Sequence, residues 1–411
     1  MKKYILLLPV FLVVPVYSCF AKPVSQYNII ENDTTELSDS LNKFAFDLYS
    51  KVKGQKDNLF FSPFSISSAL AMTYAGARSE TGTQMSQTLH FYGDEIFHSQ
   101  FKSLLENIYK KQENEGITIK TANALWAQED FKFSKKYLSL VENYYNSKIK
   151  FVDYIDPSGR EKSINNINKW VEDNTEEKIK DLIKPNDINE FTRLILTNAI
   201  YFYGGWENQF KEVNSKSGDF FVNENSKVEA MFMRKSMKVT YYENENIQAM
   251  ELQYVDKAAS MVIILPKKHI DIENFEKSFS YNKYQNILKN LLQREIRVEI
   301  PKFEYTVELG LGKTLADMGM PLAFSNDADF SGMTGKKLLK IDKVKHKAFI
   351  KVNEKGTEAA AATAVVMRTK SAEIKSVIFR ADHPFIFIIK DNTTGTILFI
   401  GRLNNPGKKK I

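Results

Sequence analysis

The stretch NEKGTEAAAATAVVMRTKS, residues 353–371, carries signals for two kinds of secondary structure. Its four consecutive alanines favour a helix, whereas the valine and threonine residues that follow them favour a strand. Gly356 stands near the start of the stretch, and no proline interrupts it. The composition of this segment therefore does not decide between a helix and a strand.

The remainder of the 411-residue chain predicts an α+β protein with a single domain at residues 37–406. No linker rich in proline or serine divides it, and 43% of its residues are hydrophobic, enough for a large core. Helical patterns dominate the first half of the chain, and buried strand patterns dominate the second. The predicted helices cover 62–77, 98–111, 134–146 and 161–173, and the predicted strands lie within 191–206, 258–266 and 384–403.

The N-terminus predicts a secreted protein. Two lysines precede a short apolar stretch at residues 4–18, which two prolines interrupt, and small residues follow at positions 19 and 21. We therefore predict a signal peptide at 1–21, cleaved after Ala21. A flexible polar lead at 22–36 and a basic tail at 407–411 flank the domain.

Cys19 is the only cysteine, so the mature chain can form no internal disulfide. The residues before it also have the outline of a bacterial lipoprotein signal, and in that alternative Cys19 would be acylated and would anchor the protein to a membrane. Asn32 and Asn392 each begin an Asn-x-Thr glycosylation sequence. The sequence does not decide whether either asparagine is modified.

The common enzymatic and metal-binding patterns are missing from the sequence. None of the five histidines has metal-ligand spacing to a second histidine or to the cysteine. There is no Gly-x-Ser-x-Gly elbow and no phosphate-binding glycine loop. The net charge of +7 comes from lysines scattered among acidic residues, which argues against nucleic-acid binding. We therefore expect neither an enzyme nor a cofactor or metal.

Several motifs resemble those of the serpins, the serine protease inhibitor superfamily. HKAFIKVNEKGTEAAAATA at 346–364 and FRADHPFIFIIKDNTTGTILFIGRLNNP at 379–406 are similar to the reactive-loop hinge and the C-terminal signature of that family. Further matching motifs occur in family order, at 58–66, 168–171, 198–206, 301–303 and 328–332. The resemblance therefore spans the whole predicted domain.

The resemblance implies a fold of three β-sheets with eight or nine helices and an exposed reactive loop, here at about 354–378. A target serine protease would cleave the loop and become esterified to it in a covalent 1:1 complex. The N-terminal part of the loop would then insert into the central sheet and trap the enzyme. The inhibitor would be a monomer, with a risk of polymerisation by loop insertion between molecules.

The loop hinge implied by the resemblance comprises Glu354, Gly356, Thr357, Glu358, Ala359, Ala360, Ala361, Ala362 and Thr363. In a strand, alternate residues face opposite sides of the sheet. The uncharged set that includes Thr357, Ala359, Ala361 and Thr363 can then face a core. Glu358 and Arg368 both belong to the other set and can remain in water. We therefore expect insertion without burial of an unpaired charge.

Counting along the family's loop places the scissile bond between Lys370 and Ser371. Lysine there fits the acidic primary pocket of a trypsin-like protease. Met367 and Arg368 offer alternative cleavage points for chymotrypsin-like or other basic-specific enzymes.

Lys302 and Glu354 match positions that pair at the top of the central sheet in some relatives, although two separate solvated charges are an open alternative. Lys355 and Gln253 depart from the family pattern, at positions where an acidic residue and a proline are common. We expect both departures to be tolerated.

Three alternatives stay open from the sequence. The protein could be a non-inhibitory carrier or chaperone of the same family, or it could inhibit cysteine proteases through the same loop. Lys102, Lys110 and Lys111 on a predicted helix could bind a polyanion such as a glycosaminoglycan, or could form a solvated helix face.

Overall fold

The fold was analysed in a computed structural model, which describes residues 34–93, 95–114, 117–357 and 377–408. The α-helices are α1 Thr35–Val52, α2 Pro63–Tyr74, α3 Ser79–Leu89, α4 Glu95–Asn114, α5 Lys135–Tyr145, α6 Pro157–Asn174, α7 Ile272–Ser278, α8 Tyr281–Asn290, α9 Gly312–Met318 and α10 Ser331–Thr334. The strands are β1 Leu59–Phe61, β2 Ile117–Gln128, β3 Lys150–Val152, β4 Leu194–Gly205, β5 Lys216–Asn223, β6 Ser226–Glu243, β7 Ile247–Gln253, β8 Ala259–Pro266, β9 Leu292–Pro301, β10 Phe303–Gly310, β11 Lys343–Asn353, β12 Gly356–Thr357, β13 Val377–Arg380, β14 Phe385–Asp391 and β15 Ile397–Leu403.

The strands form two hydrogen-bonded sheets in the described residues. One has the order β10-β11-β12-β4-β2-β3 and is here called the central sheet. The other has the order β1-β15-β14-β8-β7-β6-β9-β13, with β5 paired to β6. The 18-residue strand β6 pairs with β5 over residues 226–232, with β9 over 232–241 and with β7 over 240–243, so it connects the two parts of this second sheet. The predicted α+β class is confirmed.

Helix α2 shows how the sequence encodes a buried helix. The Ser62 hydroxyl accepts a hydrogen bond from the Ser65 backbone N–H at 3.1 Å, and Pro63 occupies the first turn, where it has no hydrogen bond to lose. All but the last residue of α2 are buried, since the helix packs against both β4 and β15. The apolar sequence at 62–77 therefore predicted this burial correctly.

The boundaries of the domain differ slightly from the sequence-based ones. Helix α1 begins at Thr35, so residues 35 and 36, which we assigned to the flexible lead, are helical. Residues 354–357 and 377–378 of the predicted loop lie in a turn and in β12 and β13. Strand β2, which lies beside β4 in the central sheet, was not predicted, because its lysine, alanine and asparagine residues break the apolar strand pattern.

The central sheet separates two hydrophobic clusters. The larger cluster includes Phe202 of β4 and Ile350 of β11, and it fills the space between the two sheets. The smaller one lies on the other side, where Ile167 and Val171 of α6 pack with a group that includes Phe349. Both faces of the sheet are therefore covered over part of its length.

Candidate functional site

Strands β4 and β11 are neighbours at one end and separated at the other. They pair directly and in parallel from Ile195 and Lys343 to Tyr201 and Phe349, and we call this part the closed end. Beyond it, the two residues of β12 lie between the two strands and pair antiparallel with both. We call this part the open end. The predicted hinge begins here, so the open end is the candidate functional site.

A hydrogen-bonded turn connects β11 to β12. The Asn353 side-chain oxygen accepts from the backbone N–H groups of Lys355 at 2.9 Å and Gly356 at 3.3 Å. The backbone N–H of Trp206 donates to the Lys355 carbonyl at 2.8 Å, and its indole N–H donates to the Asn353 carbonyl at 3.0 Å. These bonds fix the point at which the chain reverses and enters the sheet.

Gly356 is required by the close approach of β12 to β4. Its backbone φ of +156° is rarely adopted by residues that carry a side chain. A Cβ at this position would also overlap the carbonyl oxygen of Gly204 and the Cα of Gly205. The glycine therefore permits β12 to enter between its two neighbours.

Thr357 faces the larger hydrophobic cluster. Its side chain is fully buried, and its hydroxyl lies 2.7 Å from the hydroxyl of Tyr254. The Tyr254 ring stacks on Trp206 with ring centroids 4.7 Å apart, and burial raises the pKa of Tyr254 far above its usual value. Thr357, the second hinge residue in β12, is thus fixed by its contact with Tyr254 in the core.

The structure brings Glu354 and Lys302 together. The Lys302 ammonium lies 2.9 Å from one oxygen of Glu354, and the Ser215 hydroxyl donates to the other oxygen at 2.7 Å. Burial alone would raise the pKa of Glu354, but the hydrogen bonds from Ser215 and Lys302 hold this pKa below its usual value. Ser215 was not predicted, because no local pattern connects it to residue 354.

A buried polar network crosses the closed end. The His346 ring accepts at Nε2 from the Ser62 backbone N–H at 3.2 Å and donates from Nδ1 to the side-chain oxygen of Asn198. The Asn198 amide donates in turn to the Ser65 hydroxyl at 2.7 Å and to the Asn123 side chain at 2.5 Å.

Burial determines the protonation state of His346. Its ring is fully buried, and desolvation lowers its pKa to about 3, so the imidazole is neutral at physiological pH. From the sequence, this histidine was assessed only as a metal ligand. Its link to Asn198 on the facing strand could not be predicted, since residues 198 and 346 are far apart in the chain.

Gln253 and Asn392 contact each other. The Asn392 amide donates to the Gln253 side chain at 2.7 Å and to the Lys257 carbonyl at 2.8 Å. Gln253, which departs from the family pattern, is therefore held by a hydrogen bond from Asn392. Glycosylation of Asn392 would remove one of the two amide hydrogens, so at least one of these hydrogen bonds would have to break.

Most of the predicted loop lies outside the described residues. This applies to Glu358, Ala359, Ala360, Ala361, Ala362, Thr363, Met367, Arg368, Lys370 and Ser371, and also to Cys19 and Asn32. Their roles stay predictions. On the predicted polyanion helix, Lys102 lies 3.8 Å from Glu106.

The described residues also bear on metal binding and on membrane insertion. Within the described ranges, no group of three or more histidine, cysteine or acidic side chains is placed to hold a metal ion. None of the helices in that part of the chain is both long and apolar enough to cross a bilayer.

Comparisons with known proteins establish the family. The family model described as "Serpin (serine protease inhibitor)" matches residues 39–406. The leukocyte elastase inhibitor of Xenopus tropicalis is 38% identical over 379 residues, which cover 90% of this chain and 99% of that protein. The chain belongs to the serpin family.

Solved structures share the same fold. The crystal structure of Serpin48 from the insect Tenebrio molitor, described as a highly specific serpin, aligns with a TM-score of 0.81 and 31% identity over 91% of this chain and 99% of that one. Human thyroxine-binding globulin, solved in complex with its hormone, aligns with a TM-score of 0.81 and 29% identity over 91% and 100% of the two chains. Members of the family are protease inhibitors rather than catalysts, although the fold also serves a hormone-binding protein.

Proposed function

We propose that this protein is a secreted suicide-substrate inhibitor of trypsin-like serine proteases, with the scissile bond between Lys370 and Ser371. After cleavage, the N-terminal part of the loop would enter the central sheet and trap the esterified enzyme. The proposal is supported by the family and by relatives that are named as inhibitors. The observation that carries it is the position of β12 between β11 and β4.

The register of β12 specifies where the rest of the loop would go. Thr357 lies opposite Val352 of β11 and Gly204 of β4. If this register continues, Ala361 would lie opposite Ala348 and Ile200, whose side chains belong to the larger cluster. In the same register, Thr363 would lie opposite His346 and Asn198. The uncharged set of loop residues would then face the core.

The second face of the inserted strand would not be uniformly exposed. Ala360 would lie between Tyr201 and Phe349, which are buried against the cluster under α6. Glu358 would lie between Tyr203 and Lys351, both of which are partly exposed. The small Ala360 would thus occupy the buried part of this face, and the charged Glu358 would occupy its partly exposed end. The sequence alone predicted that this whole face of the inserted strand lies in water, and the register limits that prediction to the end of the face.

Insertion would replace the direct pairing of β4 with β11 by the pairing of the new strand with each of them. The seven parallel residue pairs of the closed end would separate, and the new strand would pair antiparallel with both neighbours. A dozen additional backbone hydrogen bonds, each worth about 0.5–1.5 kcal/mol net, would release on the order of 10 kcal/mol. This energy is similar to the stability of a whole domain, so it suffices to hold a trapped enzyme.

The primary test uses trypsin and two single substitutions. We expect the unaltered protein to form an SDS-stable complex and to release a C-terminal peptide that begins at Ser371. Lys370→Ala should abolish this complex, because alanine does not fill the acidic primary pocket. Arg368→Ala is the matched control and should retain it. Cleavage of the unaltered protein without any stable complex would refute the inhibitory mechanism.

The carrier alternative is supported by the similarity to thyroxine-binding globulin. A melting experiment separates the two functions, because loop insertion after cleavage should raise the melting temperature sharply, whereas a carrier whose loop stays out should melt unchanged. A panel that includes cysteine proteases addresses the other alternative, since the same loop would react with either class.

A further inference from the structure

An arginine-rich row crosses β6, β9 and β13, close to the point where the loop rejoins the sheet. Arg234 of β6 lies opposite Glu299 of β9, and Glu299 lies opposite Arg380 of β13. Arg297 precedes Glu299 by two residues, so its side chain projects from the same face of the sheet. Three guanidinium groups therefore surround one carboxylate.

The three guanidinium groups share Glu299 unevenly. Arg297 Nε lies 2.8 Å from Glu299, whereas the nearest approaches of Arg234 and Arg380 to this carboxylate are 3.5 Å and 3.8 Å. Arg380 Nε also lies 3.4 Å from Asp382. The side chains of Arg297 and Arg380 are 46% and 40% exposed, so each can donate from its outer guanidinium N–H groups to a docked carboxylate.

The excess of positive charge extends along the same face. By strand alternation and pairing, β5, β6, β9 and β13 contribute to this face the charged side chains Lys216, Arg234, Lys238, Glu295, Arg297, Glu299 and Arg380, and we call this set the cationic face. Five of the seven are basic and two are acidic, so the set carries a net charge of +3. Glu251 of β7, opposite Thr240 of β6, lies on the same side of the sheet, but it is paired with Lys390 at 2.9 Å, and this pair adds no net charge. Lys268 and Asp382 form a pair beside the cationic face, 2.9 Å apart, and add no net charge.

The cationic face also exposes an apolar side chain. Ile378 lies opposite Arg297 and is 50% exposed. An apolar side chain among arginines suits a protein surface better than a polyanionic polysaccharide, which offers sulfates and hydroxyls. The arginine side chains are themselves a common element of protein interfaces.

The position of the face identifies the partner. Strand β13 begins at Val377, seven residues after Lys370, and seven residues span at most about 25 Å. A protease domain of about 220 residues has a radius of gyration of about 17 Å. An enzyme bound at Lys370 would therefore lie within reach of the cationic face before any insertion takes place.

We propose that the cationic face is a second docking surface for the target protease, and that it selects enzymes with an acidic surface next to the active-site cleft. This inference rests on the proposed function, because it takes the cleaving enzyme as the partner. The opposite charges would accelerate association and would discriminate among proteases that share a preference for lysine.

Two trypsins provide the test, since anionic and cationic forms share primary specificity and differ in surface charge. At about 20 mM salt, we expect the association rate constant to be higher for the anionic form, and Arg297→Gln to lower it about threefold to tenfold. The effect should disappear near about 500 mM salt, where charges are screened. Cationic trypsin should show little change, and the stoichiometry of inhibition should stay constant.

Two control variants isolate the role of the face. Arg297→Lys retains the charge and should preserve most of the rate. Lys336→Gln removes an exposed charge from the segment before the closed end of β11, away from the loop, and should leave the rate unchanged. An equal loss in Lys336→Gln, or an equal loss with both trypsins, would overturn the proposal.

The remaining outcomes separate this inference from the proposed function. If no covalent complex forms, the rate of loop cleavage by the two trypsins replaces the association rate, so the face is still tested. If Arg297→Gln alters the rate only when heparin is added, the face binds a polyanion and the protease proposal is wrong.

Discussion

The open and closed ends of the β4–β11 pair differ in what lies between the strands. At the open end, β12 separates them, and Gly356 allows its backbone to lie against that of Gly204 and Gly205. At the closed end, the two strands pair directly, and His346 on one strand is bonded to the facing Asn198 on the other. The same two strands are thus already parted at one end and tied together at the other.

This difference indicates how insertion would proceed. The loop can be inserted as a new strand only if β4 and β11 separate at the closed end. The buried hydrogen bonds of His346 and Asn198 oppose this separation. Under the proposed function, Gly356 and Thr357 already have the neighbours of the inserted strand, so insertion would advance from the open end one residue pair at a time. The protein would therefore store its energy at the closed end and would begin to release it at the open end.

The largest effect should come from a charge placed on the core side of the loop. Ala361→Arg would bring a guanidinium opposite Ala348 and Ile200, where burying an unpaired charge costs several kcal/mol. We expect trypsin to cleave this variant without forming an SDS-stable complex. The loop would then be a substrate, because insertion would stop before the closed end separates.

The control for this variant places a charge on the opposite side of the strand. Glu358→Lys would lie beside the partly exposed Lys351 and Tyr203, at a cost below about 1 kcal/mol. It should retain complex formation. If both variants inhibit equally well, the extended register is incorrect.

An intermediate effect should follow from His346 at the closed end. Its pKa of about 3 in the folded protein is below the ordinary value near 6.5, so the unfolded chain binds a proton first as the pH falls. The free energy of unfolding should then decrease below pH 6.5 by about 1.4 kcal/mol per unit, or about 2 kcal/mol between pH 6.5 and 5.

Denaturant unfolding of His346→Gln provides the measurement. The variant should lose this part of the pH dependence. A change in its stability at neutral pH would shift the whole curve and would leave the slope unaffected. His269→Gln changes an exposed histidine and should keep the slope. An unchanged slope in His346→Gln would show that the buried imidazole is not the source of this pH dependence.

The smallest effect should come from Lys302 at the open end. Lys302→Ala would leave the buried carboxylate of Glu354 with the Ser215 hydroxyl as its side-chain partner, at a cost of about 1–2 kcal/mol. Hydrogen exchange at the backbone amides of Gly356 and Thr357 should become faster.

The matched control is Lys351→Ala on β11, whose exposed pair with Glu304 should contribute less than about 1 kcal/mol. Equal exchange in the two variants would contradict a role for Lys302 in the turn.

Local patterns predicted those elements that carry strong signals along the chain. Helix α2, strand β4 and the strands β14 and β15 were all predicted from runs of ten to twenty residues. Strand β2 was missed, because its pairing with β4, rather than its composition, makes it a strand. Ser215 and Asn198 were missed as partners of Glu354 and His346, since contacts between distant segments leave no local pattern.

The sequence by itself determined the family, the α+β class and the alternation that keeps charge off one side of the loop. Those properties depend on neighbouring residues and on motifs that stand in order along the chain. Only the tertiary structure decided where β12 enters, which residues each loop position would face, and how arginines from three strands surround Glu299. These depend on strand register, which pairs residues that are remote in the sequence.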